Sequence, residues 1–434
     1  MIWLYRLLFF PVLLLSLPYY LKRMFKRGGY GKDFRYRFGF IKPKGKDNPK
    51  QKRVWIQAVS LGEMRAIKPF LEQLKDRGDI DVVLTTTTST AYKLALEMYP
   101  NMVTEIGLFP LDFWLFSKIA WSRIQPDIVI LMEGELWPEH LHQAHVRKIP
   151  VILMNARLSD RSFKRYKKLA TFARFVIRQV DLILASNSQD RDRFIALGAA
   201  SNKVHLTGNI KFDAAVVNPM PYSDRNILKS EMGFFHKKDL AQPLVIVGSS
   251  TWPGEEEALV LILKKALDIG VNCRLLLVPR HAERGNEIRQ FLEKQDLSFH
   301  FRSDSKKAGK ECFIYVGDTS GELSILTQVG DIIFIGKSLP PNIGGQTPIE
   351  AASLAMPIVF GSDMSNFRLF ARDLLNEKGA LSVKDAKELF LALFELIQDG
   401  HKRIVMGQNA RTCFQKNEGA VKRTLNELEV YLKS

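Results

Sequence analysis

Glu63 stands three residues after Ser60 in "VWIQAVSLGEMRAIKPFLEQL", where an apolar run passes into a helical one, and two roles compete for it. As the third helical residue it completes an S-x-x-E capping box with Ser60, which is the role its spacing favours. As a carboxylate at a strand-to-helix turn, with Gly62 allowing the chain to bend tightly, it is also placed to take a proton from an acceptor hydroxyl. Glu133 and Glu135 in "MEGELWPEHL" put two more acids at another strand end, beside Trp137. One of them can cap the helix that Pro138 opens; the pair with the indole also suits a sugar, whose hydroxyls donate to carboxylates and whose ring stacks. Asn155 and Arg157 in "NARLS" and Lys211 in "GNIKFD" follow at further strand exits. Any one of them reads equally well as a solvated loop residue, but four successive polar strand ends on one domain point to a site.

The second half of the chain carries anion chemistry. Ser250 and Thr251 in "VGSSTWPGEEE" precede a helix whose first N–H groups favour a phosphate or carboxylate, although the acids at 255–257 are also an ordinary first-turn preference. Arg280 and His281 follow an apolar strand in "VPRHAER", and an arginine offers a planar fork to either anion. Gly321 and Glu322 in "GDTSGEL" form a further strand-to-helix turn. In "GGQTPIEAA", Gly344 and Gly345 are expected to leave backbone N–H groups open, with Pro348 opening a helix and Glu350 one turn inside it, placed to grip ribose hydroxyls. No G-x-G-x-x-G and no P-loop GK[ST] is present. His140, His142 and His145 lack metalloprotease spacing and read as a solvated helix face, and Asp190 and Asp192 as first-turn acids, so no metal site is expected.

The elements that must position these residues alternate strands and helices, the grammar of an α/β fold with parallel sheets. "VWIQAV", "DVVLTTTT", "DIVILME", "PVILMN" and "DLILAS" build one Rossmann-like domain over 54–216. After the proline-containing "VNPMPYS", "PLVIVGSST", "CRLLLVPRH", "CFIYVGDT", "DIIFIGKS" and "MPIVFGS" build a second over 224–410, and a C-terminal helical segment occupies 411–434. Two such domains imply a cleft between facing carboxyl ends.

Length and composition agree: 434 residues, 46% hydrophobic, exceed one core. The three cysteines are scattered, which excludes a disulfide framework. The net charge of +17 is local rather than a nucleic-acid signature, since residues 1–53 hold fourteen Lys and Arg against two Asp. That basic stretch adjoins an apolar run from Ile2 to Leu21, broken by Arg6, Pro11, Ser16 and Pro18. About 20 helical residues cover roughly 30 Å, a hydrocarbon core. Lys22, Arg23, Lys26 and Arg27 form a collar that binds anionic lipid and, by the positive-inside bias, places both Rossmann-like domains in the cytoplasm. Trp3, Tyr5, Tyr19 and Tyr20 suit the interfaces. No basic n-region or small-x-small site marks a cleaved signal. Residues 1–27 are therefore expected to be an uncleaved anchor, either a full span or a shallow interfacial segment.

In order, "AVSLGE", "EGELWPE", "NARLS", "GNIKFD", "PGEE", "VPRH", "GEL", "GGQTPIEAA" and the Asn366-Phe367 pair resemble the 3-deoxy-D-manno-oct-2-ulosonic acid (Kdo) transferases, glycosyltransferases of the GT-B architecture. The resemblance covers nearly the whole chain. It implies transfer of Kdo from CMP-Kdo to a lipid A precursor in lipopolysaccharide biosynthesis at the cytoplasmic face of the inner membrane. The anomeric carbon is inverted, and neither metal nor cofactor is required, CMP-Kdo being a donor substrate. By the same carry-over Glu63 is the catalytic base. Glu133, Glu135, Trp137, Asn155, Arg157 and Lys211 lie on the acceptor side. Ser250, Thr251, Arg280, His281, Gly321, Glu322, Gly345, Thr347, Glu350 and Asn366 lie around the CMP-sugar.

The chain departs from the family pattern near these motifs. Gln57 and Trp252 stand where histidines are usual, Lys337 where a glycine is, Gln346 and Thr347 for His-Asn, and Ser362 and Asp363 for Pro-His. Thr347 lacks an amide that both donates and accepts. Glu63, Arg280 and Glu350 are kept. The departures leave open a different nucleotide-activated donor, or a membrane-bound binding protein without catalysis.

Overall fold

The strand segments are apolar on alternate residues and on the residues between, which is how a strand reads when helices cover both faces of its sheet. The computed structural model describes residues 1–26, 31–41, 43, 50–235 and 242–433. It has two seven-stranded sheets, one in each of two compact units. Arg27 and most of the Lys-rich stretch after Ile41 lie outside the described residues.

The first unit comprises 1–214 and 417–434. Its strands are β1 (Lys52–Gln57), β2 (Ile80–Thr86), β3 (Glu105–Leu108), β4 (Ile128–Met132), β5 (Val151–Ala156), β6 (Leu182–Ala185) and β7 (Val204–Leu206). All pair in parallel, in the order β3-β2-β1-β4-β5-β6-β7. The chain runs outward from β1 to β3 and then returns to β1's other side, so a topological switch point falls between β1 and β4. Ligands of open α/β sheets bind at such a point, beyond the strands' carboxyl ends. Alternation along β1 divides the core: Val54 and Ile56 pack with Phe70, Leu71 and Tyr99 on one face, while Trp55 packs with Trp121, Val176 and Phe194 on the other.

The segment 411–434 is not one helix. Residues 411–415 end the helix Gly400–Gln415 of the second unit, the chain turns at Gly419 (φ +80°), and Ala420–Leu432 belongs to the first unit. There Leu428 and Leu432 join the core beside Val54. Asp213 accepts the N–H groups of Gly419 and Val421 (2.6 and 2.5 Å), capping this helix, and Arg423 donates to the Thr207 carbonyl.

The second unit, 215–416, holds β8 (Leu244–Thr251), β9 (Cys273–Pro279), β10 (Phe299–Phe301), β11 (Ile314–Val316), β12 (Ile332–Ile335), β13 (Ile358–Gly361) and β14 (Ala380–Val383). Their order is β10-β11-β9-β8-β12-β13-β14, with the switch point at β8, between β9 and β12.

The N-terminal segment is helical over Ile2–Lys26, but among the described residues no helix is long and apolar enough to cross a membrane. The full-span expectation also conflicts with the helix's contacts. In a span Ile2 would lie at the far side of the bilayer from the folded domain. Instead Arg6 makes a bidentate pair with fully buried Glu139 (both 2.8 Å), Tyr5 donates to buried Asp112 (2.6 Å), and the Phe9 ring stacks on Phe113. Arg6, an interruption of the apolar run in sequence, is thus the charge that neutralises Glu139. Tyr5 is likewise a docking residue and not an interfacial anchor.

Candidate active site

The carboxyl ends of β1 and β4 carry the three acids of the first unit. Ser60 caps the helix Leu61–Ala66 by accepting the Glu63 N–H (3.2 Å). The Glu63 carboxylate reaches back to accept from the Val59 N–H and the Ser60 hydroxyl (both 2.8 Å). The capping box is therefore real, and it fixes the carboxylate's orientation at the switch point: cap and base are one geometry. Glu63 is only 6% exposed. Burial and then the charge of Glu133 push its carboxyl above the ordinary range, opposed by the Val59 N–H, the Ser60 hydroxyl and Lys211.

Glu133 sits at φ +55°, and Lys211 grips it at 2.7 Å with Arg157 at 3.7 Å. Glu135 is raised to about 7, first by burial and then by Glu63 and Glu133. The cluster thus holds one carboxyl raised above the ordinary range beside a second raised to about 7, with Lys211 paired to the third. That is the equipment of proton abstraction from a hydroxyl.

Two further residues expected on the acceptor side, Asn155 and Trp137, have partners within the protein. Asn155 (φ +53°) is fully buried, and its Oδ1 accepts the Ile210 N–H (3.2 Å), so it braces the segment that presents Lys211. The Trp137 ring packs on Phe109 (5.7 Å), and its buried indole N–H lies toward Glu135, opposing the rise of that carboxyl. His140 is not on a solvated face: it is buried between Ser117 and Trp121, and burial pushes it down to about 3. Asp190 is buried too, accepting the Leu158 N–H (2.9 Å). Among the described residues no three His, Cys, Asp or Glu are grouped to hold a metal ion.

In the second unit Ser250 (φ +56°) and Thr251 are buried at the end of β8, and Arg280 is exposed at the end of β9. Gly344 and Gly345 do not leave open N–H groups. Those of Gly344, Gly345 and Gln346 bind Asp363 and the carbonyls of Lys337 and Gly336, because the turn folds back on the β12 loop. Asn366 packs on this turn, its amide donating to the Gly345 carbonyl (3.3 Å). Thr347 accepts the Ile349 N–H (3.3 Å), and Glu350 is the second residue of a five-residue helix, Ile349–Ser353, so it stands at the helix entrance and not a turn inside. Glu322 is held by Arg302 (2.6 and 2.7 Å), which lowers it to about 2, and follows Gly321 (φ +88°).

The "GEE" acids do more than their first-turn preference suggests. Buried Glu255 accepts four backbone N–H groups, from Trp252 (2.8 Å), Lys337 (2.9 Å), Ser338 (3.0 Å) and Leu339 (3.1 Å), tying the β8 loop to the β12 loop. Buried Glu256 pairs with Arg284 (2.7 Å) of "VPRHAER". Two adjacent acids ahead of the apolar run of this helix were the available signal; three of the four Glu255 partners, over 80 residues away, were not readable.

A model of the 3-deoxy-D-manno-octulosonic-acid transferase (kdotransferase) family matches residues 32–214. A 3-deoxy-D-manno-octulosonic acid transferase of Haemophilus influenzae is 32% identical over 387 residues, covering 88% of each chain. One of Bordetella pertussis is 30% identical, covering 87% of each. Among solved structures, UDP-GlcNAc 2-epimerase from Neisseria meningitidis, bound to UDP-GlcNAc, superimposes with a TM-score of 0.60 at 15% identity, over 87% of this chain and all of that one, a likeness of fold. Two Rossmann-like units, with carboxylates at the first switch point and braced loops at the second, are in this sequence context those of a glycosyltransferase. The chain belongs to the 3-deoxy-D-manno-octulosonic acid transferase family.

Proposed function

We propose that the chain transfers Kdo from CMP-Kdo to a hydroxyl of a lipid A precursor with inversion, Glu63 acting as general base. The observation that carries this reading is the Glu63 carboxylate, held by Val59 and Ser60 at the switch point and raised by burial. As the acceptor oxygen bonds to the anomeric carbon, its proton passes to Glu63. The bond from that carbon to the phosphate oxygen breaks, and CMP leaves with the electron pair. Attack opposite the leaving group inverts the centre. No metal or cofactor is assigned a role, and full activity is expected after EDTA treatment.

The helix Ile2–Lys26 serves as an interfacial anchor on the cytoplasmic face of the inner membrane, exposing Trp3, Leu7 and Leu15. Tyr5 stacks near Phe172, just beyond the helix Asp160–Lys168, which has no buried residue and carries Arg161, Lys164, Arg165, Lys167 and Lys168. This pairing of apolar and basic surface fits anionic lipid. Incubation with CMP-Kdo and lipid A precursor, read by product mass, tests the transfer. Each added sugar is counted directly, and turnover of a UDP- or GDP-sugar in place of CMP-Kdo would overturn the donor assignment.

A further inference from the structure

The ends of β9, β8 and β12, three neighbouring strands at the second unit's switch point, present His281, Trp252 and Lys337. These side chains form one tier. The Lys337 ammonium lies 4.9 Å from the centroid of the Trp252 ring, and that ring meets the His281 imidazole edge-on at 5.3 Å and 75°.

Lys337 has φ +60°, a backbone conformation natural to glycine and rare for residues with a side chain. Its neighbour Gly336 shows where glycine is obligatory: a Cβ there would lie 2.3 Å from the Ser250 carbonyl oxygen. At 337 the loop's structure is maintained by backbone groups alone, the N–H bound to Glu255 (2.9 Å) and the carbonyl accepting from Gly345 (2.9 Å). The lysine side chain is therefore not needed for the loop, and is kept against a conformational cost.

Its surroundings indicate a use. Glu255, the carboxylate that holds the Lys337 backbone N–H, is occupied by four backbone N–H groups, and His281 is approached by Glu283 (3.3 Å). Among the described residues the Lys337 ammonium makes no ion pair and rests on the indole face. A cation held by an aromatic face keeps its charge available to an incoming anion. Glu255 Oε2 accepts the N–H of both Trp252 and Lys337, so one oxygen sets the two residues' spacing.

We infer that Trp252 and Lys337 form an anion-recognising element for the donor: the Lys337 ammonium binds an anionic oxygen of the nucleotide-activated sugar, and Trp252 positions it. The phosphate and the sugar's carboxylate offer the same chemistry. The inference rests on the CMP-Kdo reading above.

Lys337→Gly removes the charge while relaxing the backbone, so it is expected to fold with an unchanged or raised melting temperature. Its donor KM should rise about tenfold or more, as for loss of a hydrogen bond to a charged group, with kcat and acceptor KM within about twofold. Lys337→Arg should recover most of the affinity, and Trp252→His should raise donor KM with kcat kept. Inhibition by CMP separates the two anions: weakened in parallel, the contact is to phosphate; unchanged, it is to the sugar carboxylate. An unaltered donor KM in Lys337→Gly, with transfer intact, overturns the inference alone. If CMP-Kdo is not turned over even by the unaltered protein, the functional reading fails, and calorimetry with intact CMP-Kdo, which carries both anions, still decides this one. Equal affinity of the two proteins, or no binding by either, overturns it.

Discussion

Replacing Glu63 by glutamine separates the two roles that its position allows. The amide keeps the size and the capping contacts: its oxygen accepts the Val59 N–H, and its NH₂ donates to the Ser60 oxygen, which now accepts where its hydroxyl had donated. What is lost is the basic oxygen. A positioned general base contributes about 10²–10⁴-fold, or about 2.7–5.5 kcal/mol at 1.36 kcal/mol per factor of ten. Stability should move the other way. Burial first, and then Glu133, raise the carboxyl of the folded protein, so ionised Glu63 is less favourable there than in the unfolded chain. For a raised acid, its stabilising contribution is fully present below the unfolded value and is lost as pH rises through the folded one. Glu63→Gln should therefore be as stable as the parent at low pH and more stable at pH 8. The assay is kcat/KM for product formation, with melting curves at pH 4, below the unfolded carboxyl value, and at pH 8. Activity within tenfold of the parent would refute the base. A lower melting temperature at pH 8 would refute the electrostatic reasoning and leave Glu63 a cap.

Contacts at three places in the fold set the remaining outcomes. Lys211→Met removes a charge that holds the Glu63 carboxyl down, so the acid limb of the pH–rate profile should move to higher pH; Glu133→Gln removes one that pushes it up, and should move that limb to lower pH. Glu255→Ala strips two buried and two partly buried N–H groups of their acceptor, at about 1–3 kcal/mol for each buried one before water or rearrangement compensates. A net loss of at least about 3 kcal/mol, or roughly 6–12 °C for a unit of this size, is expected by calorimetry. Arg6→Met leaves Glu139 buried without its cation and should cost about 3–5 kcal/mol in a denaturant titration, with faster hydrogen exchange along Ile2–Lys26. Arg6→Met with Glu139→Leu should be milder than the single change.

Local pattern determined a good deal. Runs such as "DIVILM" are apolar on both faces because helices cover both sides of a parallel sheet, so strand positions and the α/β class were legible in the chain itself. Ser60 and Glu63 are three residues apart, and a capping box is a local structure, so that too could be read directly. The candidate acids were legible as polar residues at strand ends, since strand ends are where a parallel sheet meets its ligands.

What spacing could not supply was partnership across the fold. Lys211 meets Glu133 over 78 residues, Arg6 meets Glu139 over 133, and Lys337 meets Glu255 over 82. Sheet order decides these encounters, and no local periodicity encodes it. The same physics settles whether a polar residue is a ligand or a brace. Asn155 and Glu255 stand at loop positions near the strand ends, yet each is buried and holds backbone: Asn155 Oδ1 accepts the Ile210 N–H, its Nδ2 having no hydrogen-bond partner among the described residues, and Glu255 accepts four N–H groups. The sequence by itself determined which residues stand at the strand ends. Only the tertiary structure decided which of them share a charge, because electrostatic interaction depends on distance and desolvation, and both are set by packing.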